Sequence, residues 1–63
     1  MNRTYYTAIR QEGCLRGQVY RCDPTGNHPV ALWTSETRYF TRGEALDAAV
    51  EWMEDNGVDA ELD

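Results

Sequence analysis

Residues 41–57, TRGEALDAAVEWMEDNG, decide the fold of this chain. Thr41 and Glu44 stand at the S/T-x-x-E spacing of a capping box, in which the Thr hydroxyl and the Glu carboxylate satisfy backbone donors that a helix start leaves free. The alanines, leucine and methionine that follow favour the helical state. Asn56-Gly57 closes the run, because glycine accepts the left-handed conformation that ends many helices. The spacing predicts a helix over 42–56. At about 100° per residue, Leu46, Ala49, Val50 and Met53 form an apolar stripe with Ala45 beside it. Glu44, Asp47, Glu51, Glu54 and Asp55 fall within an arc of about 100° on the other side. Trp52 lies at the border, where it can bury its ring and keep its indole N–H near water.

Such a helix must bury its stripe against something, and the residues before it supply a sheet. Residues 4–10 (TYYTAIR) are rich in aromatic and β-branched side chains and read as a strand. Residues 11–17 read as a turn or loop, with Gly13 and Gly17 as the permissive positions. Residues 18–22 (QVYRC) read as a second strand, antiparallel to the first because the connection is short. Residues 23–29 (DPTGNHP) are a strong turn signal. Residues 30–35 (VALWTS) make a third strand, and 36–40 either extend it or form an edge piece. The expected architecture is α+β: a three-stranded antiparallel sheet packed on one C-terminal helix, βββα, with residues 58–63 a short acidic tail. Sixty-three residues allow one small domain. Ile9, Val30, Leu32, Leu46, Ala49, Val50 and Met53 are its expected core.

The charges are distributed unevenly. From Gly43 onward every ionisable side chain is acidic: Glu44, Asp47, Glu51, Glu54, Asp55, Asp59, Glu61 and Asp63. All six arginines precede that point and lysine is absent. A surface charged in this way attracts basic partners before contact. Like charges at i,i+3 and i,i+4 mildly destabilise a helix, and no Lys or Arg follows Gly43 to offset them. The helix dipole favours Glu44 and Asp47 but leaves Glu54 and Asp55 poorly placed. Successive acids stand about 5–6 Å apart, the order of the phosphate spacing along a nucleic-acid strand. A face that opposes its own helix in this way points to a partner rather than to solubility alone.

Other chemistries find little support. His28 is the single histidine and lies in a turn, no Ser or Thr stands in a nucleophile-elbow context, and no Gly-rich phosphate loop occurs. The chain reads as a non-enzyme without cofactor or metal. Cys14 and Cys22 match no paired zinc spacing and read as ordinary thiols, a bridge requiring a tight hairpin to bring them together. No apolar run is long enough to span a membrane and the N-terminus lacks a secretory pattern, so a cytoplasmic monomer is expected. Arginines and aromatics interleave in the first hairpin, which leaves direct single-stranded nucleic-acid binding as a further, less favoured reading.

In size, acidity and lack of catalytic machinery, the whole chain resembles the small phage-encoded anti-CRISPR proteins, particularly the compact acidic inhibitors of type I systems and among these the type I-C inhibitors. That resemblance implies a phage protein acting in the bacterial cytoplasm as a DNA mimic. It implies binding to the Cascade surveillance complex at the basic surface of its large Cas8 subunit, blocking recognition of PAM-containing target DNA. Glu44, Asp47, Glu51, Glu54 and Asp55 would carry the binding, with Asp59, Glu61 and Asp63 extending the surface. A second, local resemblance covers residues 40–49 (FTRGEALDAA), which are similar to the strand-to-helix junction of HicB-like antitoxin domains. It implies the same architecture and, as an alternative role, neutralisation of a basic ribonuclease toxin.

Overall fold

In a computed structural model of the chain, which describes residues 2–63, one helix packs across a four-stranded sheet. Strands β1 (Arg3–Gln11) and β2 (Cys14–Cys22) form a long antiparallel hairpin in unbroken register from Arg3↔Cys22 to Gln11↔Cys14. The turn between them is only Glu12-Gly13, with φ of 52° and 81°. Positive φ at both central residues is the signature of the type I′ loop, whose twist suits a right-handed hairpin. β2 thus begins well before the expected residue 18, and the loop expected over 11–17 shrinks to two residues.

The two glycines of that segment have different jobs. Gly13 makes the turn, whereas Gly17 is buried within β2 under the helix. A Cβ on Gly17 would fall deep inside contact distance of the Ala45 carbonyl oxygen and 3.2 Å from the Ala49 amide nitrogen. Only a residue without a side chain lets the helix backbone come this close. The same residue is anchored on its other side. Ser35 Oγ accepts a hydrogen bond from the Gly17 amide (3.0 Å) and donates to the Thr37 carbonyl (2.8 Å). The Ser35 amide in turn donates to the Gly17 carbonyl at 2.8 Å. A buried serine is stable here because its polar atoms are paired.

Strand β3 (Val30–Thr34) pairs antiparallel with β2, with a register shift between Val19↔Trp33 and Tyr20↔Ala31. Leu32 is the extra residue of this bulge. Beyond β3 the chain returns through a single antiparallel bridge, Leu15↔Tyr39, which is all the sheet structure that residues 36–40 acquire.

Helix α1 (Arg42–Asn56) has the expected bounds. The Glu44 amide donates to Thr41 Oγ1 (3.3 Å), and the Thr41 hydroxyl donates to Glu44 Oε1 (2.9 Å). Gly57, at φ 64°, closes the other end: its amide bonds the Glu54 carbonyl at 3.4 Å, and that of Val58 reaches the Met53 carbonyl at 2.9 Å.

The core forms where α1 meets the hairpin. Val19, Ala45 and Ala49 are fully buried, and Met53 nearly so. Tyr6, Trp33, Trp52, Val58 and Ala60 pack around the cluster. The expected core is therefore corrected in several places. Ala49 and Met53 belong to it, but Leu46 and Val50 are half-buried, because the seat on Gly17 turns the small Ala45–Ala49 edge of the stripe to the sheet. Ile9 lies on the opposite sheet face, in register with Arg16. Val30 (61%) and Leu32 (37%) are exposed on the edge strand.

The sheet also gains a strand that the reading as βββα lacked. Residues 58–63, expected as a tail, carry β4 (Glu61–Leu62), which runs parallel to β1 through Tyr5↔Glu61 and Tyr6↔Leu62. The Asp63 amide adds a hydrogen bond to the Tyr6 carbonyl at 3.0 Å. The class is α+β, with a mixed sheet in the order β3-β2-β1-β4. Parallel pairing needs a long crossover, and α1 supplies it.

Candidate partner-binding surface

The helix presents its acids as the periodicity requires. With Ala45, Ala49 and Met53 on the sheet, Glu44, Asp47, Glu51, Glu54 and Asp55 all lie exposed on the outer side. Glu44 is partly committed already: its carboxylate accepts the Thr41 hydroxyl at 2.9 Å, in place of the backbone donor that the full capping box expected from the sequence would give it. Among the described residues the one ion pair is Arg38 Nη1 to Glu12 Oε2, at 3.6 Å, and neither residue belongs to α1. The helix carboxylates are therefore balanced by no basic side chain within ion-pair distance. The last turn carries no basic residue. Its carbonyls are relieved instead by the Gly57 cap and by Asn56 Nδ2, which donates to the Trp52 carbonyl at 2.9 Å.

The remaining three acids separate. Asp59 lies exposed just beyond the cap and shares a shallow depression with Glu54, Met53 and Gly57, so it continues the helix surface at one end. Glu61 and Asp63 do not. Glu61 stands in register with Tyr5, on the sheet face that turns away from α1. Asp63 Oδ2 accepts the Tyr20 hydroxyl at 2.6 Å on that same face. The expectation that these two extend the helix surface is corrected: β4 carries them round to the other side of the sheet.

Among the described residues no helix or further strand covers that second face, which Gly26 and Pro29 of the β2–β3 turn border. It bears Tyr5 and Tyr20 with ring centroids 5.7 Å apart and planes tilted by 31°, flanked by Thr7, Ile9, Gln18 and Ala31. The hydrogen bond to Asp63, aided by partial burial and by the carboxylate charge, pushes the Tyr20 hydroxyl up to about 12. Asp23 has a separate, local role in the β2–β3 turn. Its Oδ1 accepts from the Thr25 hydroxyl (2.7 Å), the Thr25 amide (3.0 Å) and the Asn27 amide (2.8 Å), and these bonds hold its carboxyl below the usual range.

One feature beside the acidic face has only a faint sequence signal. Trp33 of β3 and Trp52 of α1 stack at 5.5 Å between centroids and 12° between planes. Together with Tyr39, Ala48, Glu51 and Asp55 they line a small groove of about 220 Å³ along the edge of the helix. The border position of Trp52 hints at it, but its partner lies nineteen residues earlier in the chain. Cys14 and Cys22 are both free and occupy opposite ends of β2, which excludes a bridge between them within the chain. Among the described residues no group of three or more His, Cys, Asp or Glu side chains is arranged to hold a metal ion. Nor is any described helix long and apolar enough to cross a membrane.

No protein-family model matches the chain, and neither a curated protein nor a solved structure matches it at a significant level.

Proposed function

We propose that this protein is a non-enzymatic inhibitor that lays the acidic face of α1 against a basic, nucleic-acid-binding surface of another protein and blocks it. The observation that carries this reading is the set of exposed carboxylates on one side of α1 with no basic side chain within ion-pair distance among the described residues. An uncompensated array of this kind gains most from a surface of opposite sign, because Coulomb attraction adds across the array and speeds encounter. The resemblance to compact acidic anti-CRISPR proteins supplies the partner: the Cas8 surface of a type I-C Cascade, where the helix stands in for target DNA. The binding residues are Glu44, Asp47, Glu51, Glu54 and Asp55, joined by Asp59.

Direct binding of single-stranded nucleic acid by the sheet face away from α1 ranks third, behind neutralisation of a basic ribonuclease toxin by the same acidic helix. The Tyr5–Tyr20 pair offers a stacking surface, but Glu61 and Asp63 border it and would repel phosphates.

The test is target-DNA binding by purified type I-C Cascade, with and without this protein. The comparison is a variant carrying Glu51→Lys, Glu54→Lys and Asp55→Lys. These side chains point away from the core, so the variant folds, while each reversal turns attraction into repulsion. The wild type should block DNA, its affinity should fall as salt rises, and the variant should not block. A folded variant that blocks DNA as well as the wild type ends this reading. Capture of a small ribonuclease toxin, with no effect on Cascade, would favour the antitoxin role instead.

A further inference from the structure

From the groove that Trp33 and Trp52 line beside their stack we infer a receptor site for one arginine side chain of the basic partner; this inference rests on the acidic helix face being the partner-binding surface. The groove lies where the acidic arc of α1 meets the edge strand. Ala48, Glu51, Trp52 and Asp55 follow one another at i, i+3, i+4 and i+7, so they form a continuous strip along the helix. β3 brings Trp33 against that strip, and Tyr39 lines the groove with them.

Three properties select the occupant. Trp33, Tyr39 and Trp52 line the groove with aromatic side chains, and aromatic rings attract a cation through the ring quadrupole, indole most strongly. Glu51 and Asp55 add two carboxylates to the same groove, which excludes phosphate and other anions. At about 220 Å³ the groove takes the end of one side chain, being smaller than the several hundred Å³ typical of sites for drug-sized ligands. A guanidinium meets these conditions better than an ammonium. It is planar and so stacks on an indole, it is weakly hydrated, and its fork of N–H donors reaches a carboxylate in the plane of the stack. Its source is a partner protein rather than free arginine, because the groove is open, encloses no ligand on its own, and shares Glu51 and Asp55 with the acidic face. The carboxylates of α1 would then steer the partner, while the groove fixes its register.

The experiment titrates the full chain with N-acetyl-arginine amide and, separately, N-acetyl-lysine amide, following the indole N–H resonances of Trp33 and Trp52 by NMR. The arginine probe should give saturable shifts at both indoles, with affinity several-fold above the lysine probe. Ala48→Leu keeps the charges and the helix propensity while filling the groove, and it should abolish saturation. Trp52→Leu should do the same if it remains folded, but the decision rests on Ala48→Leu. Equal response to the two cations, or undiminished saturation in Ala48→Leu, overturns the inference. The companion measurement is Cascade binding by Asp47→Lys/Glu54→Lys, which leaves the groove intact. Unaltered binding there defeats the acidic-face reading, whereas arginine saturation in the isolated chain reports on the groove alone.

Discussion

Replacing Gly17 with alanine is the sharpest test of how this fold is held together. The backbone at Gly17 is ordinary strand, so alanine meets no conformational penalty and gains about 0.5–1 kcal/mol from reduced chain entropy. Against that, its Cβ would collide with the Ala45 carbonyl and press within 3.2 Å of the Ala49 amide. Both obstacles are backbone atoms inside a helix, and neither can rotate away. The helix has to lift by roughly 1 Å, a gap that forfeits a quarter to a half of each dispersion contact beneath it. Those contacts join Val19, Ala49 and Met53, the centre of the core. Overpacking of this kind costs about 1–3 kcal/mol, and with the loosened core the net loss should be about 2 kcal/mol after the entropy gain. A domain of this size holds roughly 3–9 kcal/mol in total, so the melting temperature should fall by about 8–16 °C. Thermal unfolding followed by far-ultraviolet circular dichroism and tryptophan fluorescence measures it. Ala45→Gly in the same chain should give no rescue, because it removes a methyl and leaves the offending carbonyl in place. A Gly17→Ala protein as stable as the wild type, or one rescued by Ala45→Gly, would refute the close-packed seat.

Ser35→Ala leaves the Gly17 amide and the Thr37 carbonyl without their side-chain partner, and chemical denaturation should show a loss of about 1–3 kcal/mol. Tyr20 should be the late-titrating tyrosine in a phenolate absorbance titration, and Asp63→Ala should return it towards its ordinary value of 10.0. Because its folded value is raised, the stabilisation linked to Tyr20 is fully present below pH 10 and fades as pH climbs towards about 12. Both thiols should react with a thiol reagent under native conditions without prior reduction. Cys14 should react faster than Cys22, which is 5% exposed, and serine at both positions should leave partner binding intact.

What the sequence determined by itself was local. The helix could be read to its ends because capping box, composition and terminating glycine are signals carried by adjacent residues, and they translate directly into the hydrogen bonds of Thr41, Glu44 and Gly57. The acidic face was legible for the same reason: a fixed turn angle puts Glu44, Asp47, Glu51, Glu54 and Asp55 on one side regardless of what the other side touches. The strands were visible in composition, but their limits were not. Gly17 looks like a loop residue until a helix from elsewhere in the chain is seen to rest on it. Leu46 and Val50 look like the centre of the stripe until that seat rotates Ala45 and Ala49 into the core. β4 has two residues, one of them charged, and exists only because α1 delivers the chain beside β1. That delivery decides which acids belong together, carrying Glu61 and Asp63 to the far face and leaving Asp59 with Glu54. It is also tertiary packing, through the stack of Trp33 on Trp52, that sets two carboxylates beside an aromatic groove. Periodicity reports which residues share an element's face; only the closure of one element on another determines which faces meet.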